Sequence, residues 1–81
     1  SMNNQTLINK CMDAMAPWAH GENDVRIHVD TIYERNGKRY LVYPELRSAG
    51  SYRDVLGGYG TTEVEALESC LSSIKETLKS G

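Results

Sequence analysis

Residues 61–78, TTEVEALESCLSSIKETL, carry the clearest structural pattern in the chain. Apolar residues recur in this stretch at steps of three and four, which places them on one face of an α-helix. These residues are Val64, Leu67, Leu71, Ile74 and Leu78. Thr62, followed by Glu65 three residues later, is a capping-box signature and marks the start of the helix. Because an amphipathic helix must bury its apolar stripe against another layer, the rest of the chain is expected to supply that layer.

A second apolar stripe with helical spacing lies near the other end of the chain. It consists of Leu7, Ile8, Cys11, Met12 and Met15. Asn3 or Asn4 can cap this helix, and Pro17 is expected to end it. Cys11 and Cys70 both fall on apolar helix faces, which favours two buried, reduced thiols. A disulfide that joins the two helices is the alternative.

A β-hairpin is predicted between the two helices. Residues 25–33 alternate apolar and polar side chains, as a half-buried strand does. The dipeptide Asn36-Gly37 is the strongest signal in the chain for a two-residue turn. A turn at this place sets the register with the returning strand. In this register Glu34 lies opposite Arg39, Ile32 opposite Leu41 and Asp30 opposite Tyr43.

The rest of the central region predicts a third strand. Pro44 is expected to end regular pairing, and residues 45–51 form a turn. Residues 52–56 then predict the strand, and the glycine-rich residues 57–60 predict a flexible link into the closing helix. The fold class is therefore α+β, in a single domain that covers residues 1–81. Its order is α-β-β-β-α, a three-stranded antiparallel meander with two helices packed on one face.

Composition excludes several classes of function. The formal net charge of −2 over 81 residues argues against a general nucleic-acid binder. No apolar run approaches the roughly 20 residues that span a membrane, and the first residues lack a signal-peptide pattern, so a cytoplasmic protein is expected. Two histidines and two scattered cysteines predict no metal site, and no cofactor is expected. Glu63 and Glu65 would repel a phosphate at the start of the closing helix.

The polar face of the hairpin carries the candidate contact residues. His28 and Asp30 point to the same side of their strand, but no second catalytic group accompanies His28, so an enzyme is not expected. Tyrosine and arginine are the residues that most often anchor protein interfaces. Trp18 either covers the core edge or anchors a partner. The predicted partner-binding residues are Arg26, His28, Arg39, Tyr43, Tyr52, Arg53 and Tyr59.

Two stretches resemble a known family. Residues 39–46 (RYLVYPEL) and residues 60–67 (GTTEVEAL) are similar to the HicB-type antitoxin domain, in which a strand ends in Pro-acid-Leu and a helix starts with Gly-Thr-x-x-Glu-Ala-Leu. This resemblance implies a protein that neutralises a small ribonuclease toxin by binding it.

Two other likenesses concern the chain as a whole. The element order resembles a double-stranded-RNA-binding domain, although Glu63, Glu65 and Glu68 stand where that family has a basic cluster. The profile of a small acidic domain with exposed tyrosines and no catalytic set is similar to that of phage-encoded inhibitors, including anti-CRISPR proteins.

The sequence therefore predicts a non-enzymatic protein-binding module, an inhibitor or regulator of the phage or mobile-element type. An antitoxin is the first alternative, and a nucleic-acid binder that uses the basic hairpin is the second. A small enzyme that uses His28 is the third. Homodimerisation is predicted through a free edge strand or through a patch formed by Ile32 and Leu41.

Overall fold

The computed structural model describes residues 3–80 and confirms an α+β fold. The elements in chain order are helix α1 (Asn4–Met15), strands β1 (Val25–Glu34), β2 (Gly37–Leu46) and β3 (Gly50–Ser51), helix α2 (Arg53–Leu56), strand β4 (Gly58–Gly60) and helix α3 (Glu63–Ser80). Two 3₁₀ turns, Ala16–Trp18 and Glu22–Asp24, connect α1 to β1. The predicted cap of α1 forms, since the side chain of Asn3 accepts from the Thr6 amide. Half of the predicted capping box of α3 forms, since Thr62 accepts from the Glu65 amide, whereas the Glu65 carboxylate accepts from the amide and hydroxyl of Thr61 and not from the Thr62 amide.

Strand β2 is the centre of an antiparallel sheet. It pairs with β1 along its whole length on one side and with β3 and β4 on the other. The third strand of the predicted meander is therefore split in two, with α2 between the halves. The predicted strand over residues 52–56 is wrong, because Arg53–Leu56 is a single helical turn.

The predicted flexible link over residues 57–60 is also wrong, because Gly58–Gly60 is strand β4. Gly58 pairs with Val42 and lies directly under the backbone of α3. A Cβ atom at Gly58 would stand 2.7 Å from the carbonyl carbon of Ser69 and 2.8 Å from the carbonyl oxygen of Ala66. The glycines therefore allow strand and helix to approach closely, and they do not act as a hinge.

The hairpin turn lies one residue earlier than predicted. Its two residues are Arg35 and Asn36, and Gly37 already pairs with Glu34 at a φ of 144°. Asp30 therefore lies opposite Leu41 and not opposite Tyr43. The register differs from the predicted one by two positions, so every side chain of the hairpin keeps its predicted face.

Pro44 does not end the pairing of β2. It is buried and lies opposite Ile27. Its carbonyl oxygen accepts a hydrogen bond from the Tyr52 amide, on the side of β2 where the third strand is interrupted. In an antiparallel sheet, the backbone nitrogen and the carbonyl of one residue point to the same neighbouring strand. The N–H group that Pro44 lacks would therefore point to the place where the third strand is interrupted.

Helices α1 and α3 bury their stripes against the same face of the sheet. The buried positions on the helices are Leu7, Cys11, Met15, Ala66, Leu67, Cys70 and Ile74. Cys11 and Cys70 are free thiols, as predicted, and both are buried between the helices. The hydrogen bond with Cys11 raises the pKa of the Cys70 thiol, and burial raises it further.

Asp24 is the buried charged residue of the described chain, with 7% of its surface exposed. Its carboxylate accepts hydrogen bonds from the His20 amide at 2.9 Å and from the amide and hydroxyl of Ser48 at 2.8 and 2.7 Å. The bonds from His20 and then from Ser48 hold the pKa of this carboxyl below its ordinary value. Asp24 thus ties the turn before β1 to the connection after β2.

Replacing Asp24 with asparagine is expected to lower the melting temperature at pH 7 more than at pH 3. The depressed pKa contributes stability that is present above the unfolded value of about 3.9 and is lost as the pH falls through the folded value. Thermal unfolding followed by circular dichroism at the two pH values measures the difference. Glu22→Gln, an exposed change in the same turn, is the control. An equal loss at both pH values would contradict the role of this carboxylate.

Candidate functional site

The sheet face opposite α1 and α3, here termed the outer sheet face, gathers most of the predicted contact residues. Alternation along the strands points one set of side chains away from the helices. This set comprises Arg26, His28, Asp30, Ile32, Arg39, Leu41, Tyr43, Glu45 and Tyr59. Pairing across the three strands arranges the set in rows, with Arg26 beside Glu45 and His28 beside Tyr43.

An aromatic pair lies at the centre of the outer sheet face. The rings of His28 and Tyr43 stack, with centroids 4.9 Å apart and planes 16° from parallel. Nε2 of His28 lies 2.9 Å from Oε1 of Glu45, and the guanidinium carbon of Arg53 lies 5.9 Å from the centre of the Tyr43 ring. These contacts hold both rings in one orientation.

Tyr43 is a neutral phenol at physiological pH. Desolvation raises the pKa of its hydroxyl, and the negative charge of Asp30 and a hydrogen bond to it raise the pKa further. The Tyr43 ring is half-buried between its neighbours.

A second cluster surrounds Arg39. Its guanidinium carbon lies 4.7 Å from the centre of the Tyr59 ring, and its Nε lies 3.0 Å from Oε1 of Glu34. Tyr59 remains half exposed, so the guanidinium and the ring together form a solvent-accessible cation–π pair on the outer sheet face. Ion pairs at this exposure contribute little to stability, and their main effect is to hold the arginine in place.

Positive and negative charges are balanced on this surface. The arginines are Arg26, Arg39 and Arg53, and the carboxylates beside them are Asp30, Glu34 and Glu45. A surface that tracks a nucleic-acid backbone needs an excess of positive charge. The alternation of sign is instead suited to a partner surface with complementary charges.

Six of the seven predicted contact residues come together on or beside the outer sheet face, and Tyr52 does not. Tyr52 packs against the core and lines an apolar cleft of about 140 Å³ together with Met15, Trp18 and Leu56. It points there because α2 begins at Arg53, so strand alternation does not extend to Tyr52. Trp18 lines the same cleft and has 37% of its surface exposed, and its two predicted roles both stay predictions.

The sequence identified one of the two carboxylates that orient the cluster. The predicted register placed Glu34 opposite Arg39, and these side chains form an ion pair, although the observed register makes them diagonal neighbours. The contact of Glu45 with His28 was not predicted. The expectation that Pro44 ends the pairing left Glu45 outside the sheet, and pairing that continues past Pro44 is the signal that could have identified it.

Residues 3–80 hold neither a metal-binding cluster nor a membrane-spanning helix. No group of three or more His, Cys, Asp or Glu side chains within this range could hold a metal ion. Within the same range, no helix has the length and apolar character needed to cross a membrane. Comparison of the chain with protein-family models, with curated proteins and with solved structures gives no match.

Proposed function

We propose that this chain is a protein-binding module that acts without catalysis, as an inhibitor or regulator of a protein partner, and that the outer sheet face is its contact surface. The observation that carries the proposal is the pre-arranged set of arginine and aromatic side chains on a sheet face that neither long helix covers. The similarity in profile to phage-encoded inhibitors favours a regulator of the kind that mobile elements carry.

Pre-arrangement matters because binding has to offset the entropy of ordering side chains, which costs about 0.5–1.5 kcal/mol for each flexible one. Arg39 is held by Tyr59 and Glu34, and Tyr43 is held by His28. Tyrosine and arginine fixed in this way give large contact area at low entropic cost. Pre-arranged contact residues would help an antitoxin to bind its toxin in the same way. The identity of the partner therefore distinguishes a phage-type inhibitor from an antitoxin.

The nucleic-acid alternative depends on the tip of the hairpin. Arg35 and Lys38 are exposed there, close to Arg39. Binding through such a tip would be electrostatic, and its affinity would fall steeply as salt is added. Binding through the outer sheet face would change much less, because its charges are balanced and its rings contribute apolar contact.

The double variant Arg39→Ala/Tyr43→Ala is expected to weaken partner binding by at least about thirtyfold, since anchor residues each contribute about 2 kcal/mol or more. The partner would be identified by affinity capture of the tagged chain from a bacterial lysate, with and without nuclease, followed by mass spectrometry. Affinities of the purified pair would then be measured by calorimetry.

The matched control is Glu68→Ala/Lys75→Ala, which removes two exposed charged side chains from α3 on the opposite side of the molecule. Its affinity should equal that of the unmodified chain. Circular dichroism should show that both double variants are folded. An unchanged affinity in Arg39→Ala/Tyr43→Ala would refute the outer sheet face as the contact surface. Recovery that disappears with nuclease would transfer the function to the hairpin tip and nucleic acid.

A further inference from the structure

The Ile32/Leu41 patch does not offer a route to self-association. Leu41 is only 1% exposed, and Ile32 lies opposite Arg39 rather than opposite Leu41. The free edge of β1 is different. Its ten residues pair with β2 on one side, and no other strand of the described chain pairs with the second side.

Edges of this length are normally protected in monomers. Proline, charged side chains (lysine above all), a bulge or a covering helix or loop are the usual means. Strand β1 contains no proline or lysine, and its ten pairs with β2 are continuous, without a bulge. Its charged residues Arg26, Asp30 and Glu34 all point to the outer sheet face, so the helix side of the edge carries no charge. It therefore presents a row of backbone donors and acceptors to a further strand.

Side chains on the helix side of β1 extend this surface. Val29 is 37% exposed and Tyr33 is 80% exposed, the highest value among the large hydrophobic residues described. Both point to the side of the sheet on which α1 and α3 pack, and both remain open to solvent. An exposed tyrosine on an unprotected edge strand favours burial in an interface.

The other end of the same strand carries a cleft. It has a volume of about 590 Å³ and lies between α1 and the connection that leads into β1. Its apolar lining comes from Met12, Ala16, Ala19 and Val25. Val25 and Tyr33 are eight residues apart on β1 and point to the same side of the sheet.

We infer that a second copy of this chain occupies the β1 edge, by antiparallel pairing of β1 with β1 about a twofold axis at Val29. In this register Tyr33 of each copy lies opposite Val25 of the other. Side chains directly opposite each other on antiparallel strands stand about 4.5–5.5 Å apart at their Cβ atoms. Tyr33 of each copy therefore enters the cleft that Val25 of the other copy lines.

The position of Tyr33 selects this register, and the charges of the strand are compatible with it. With the axis at Val29, His28 of each copy lies opposite Asp30 of the other, so a carboxylate meets an imidazole twice. Moving the axis to Asp30 would pair Arg26 with Glu34 twice, but it would place two carboxylates opposite each other and would move Tyr33 opposite Ile27, which does not line the cleft. Moving it to His28 would place two imidazoles opposite each other and would carry Tyr33 past the start of the partner strand.

The dimer follows the rule for twofold interfaces, in which one patch is complementary to itself. Each chain has one Tyr33 side chain and one such cleft. The twofold axis therefore creates two identical contacts, each between Tyr33 of one copy and the cleft of the other. The two outer sheet faces would then lie on the same side of one continuous sheet. A partner with two matching sites would be bound through both copies.

The test uses the full chain in sedimentation equilibrium over a range of concentrations. The expected mass approaches twice the 9.1 kDa of one chain as concentration rises. Tyr33→Ala should weaken dimerisation by at least about tenfold, since it removes the side chain that fills the cleft. Val29→Lys should abolish the dimer, because two lysines would meet at the axis.

Mixing the Val29→Lys chain with a Val29→Glu chain should restore a dimer, because residue 29 of one copy lies opposite residue 29 of the other only in this register. Val55→Lys, at an exposed valine of α2, is the matched control and should dimerise normally. Circular dichroism monitors the folding of each variant. A monomer at every concentration, or a dimer that is unaffected by Tyr33→Ala and Val29→Lys, would overturn the inference. Failure of the mixture to dimerise would overturn the register.

Discussion

Replacing Gly58 with alanine is expected to destabilise the protein by more than about 3 kcal/mol, near the upper end of what overpacking costs. The new Cβ atom would stand 2.7 Å from the carbonyl carbon of Ser69 and 2.8 Å from the carbonyl oxygen of Ala66, both in the backbone of α3. Backbone atoms inside a helix cannot rotate away as the end of a side chain can. Helix α3 would have to move off the sheet, and its buried residues Leu67 and Ile74 would lose contacts.

Urea unfolding followed by circular dichroism measures this effect as a lower midpoint with an unchanged slope. Gly37→Ala is the matched control. No atom lies within 4 Å of a Cβ at Gly37, so that change costs only the strain of its positive φ, about 1–2 kcal/mol. If Gly58→Ala cost no more than Gly37→Ala, close packing of α3 on β4 would not be what selects the glycine.

The glycines of β4 show why the sequence predicted an antiparallel sheet but placed its third strand at the wrong residues. Glycine is favoured both where a chain needs conformational freedom and where another backbone approaches closely. The two cases look alike until the packing partner is known. The alternation of Gly58, Tyr59 and Gly60 has the period of a strand, with the two glycines towards α3 and the tyrosine on the outer sheet face.

The sequence predicted which residues lie on the outer sheet face, but, apart from Glu34 with Arg39, it did not predict which of them touch each other. Alternation along β1 and β2 determines which face a side chain takes, and a register error of two positions leaves that assignment unchanged. The stacking of His28 on Tyr43 depends on the register itself, which follows from a turn at Arg35 and Asn36. Tyr52 was assigned to the wrong side because one helical turn replaces the expected strand.

Leu41 is the residue of the outer sheet face whose environment departs furthest from expectation. The sequence paired it with Ile32 as an exposed apolar patch, yet it is 1% exposed. It lies on the central strand between Asp30 and Tyr59, and a Cβ at Gly57 would stand 3.1 Å from its Cδ1. The outer sheet face therefore has a small apolar centre of its own beneath the polar groups.

Leu41→Ala is expected to destabilise the protein by about 2–4 kcal/mol, the cost of removing a fully buried leucine. Ile32→Ala, on the same face but half-buried, should cost less than half as much. Urea unfolding of both variants gives the comparison, and equal losses would contradict an apolar centre on this face. Partner affinity should also fall in folded Leu41→Ala, because Tyr59 pairs beside Leu41 and in turn holds Arg39. Stability and binding would then depend on the same leucine, because its buried side chain packs beside Tyr59 on the outer sheet face.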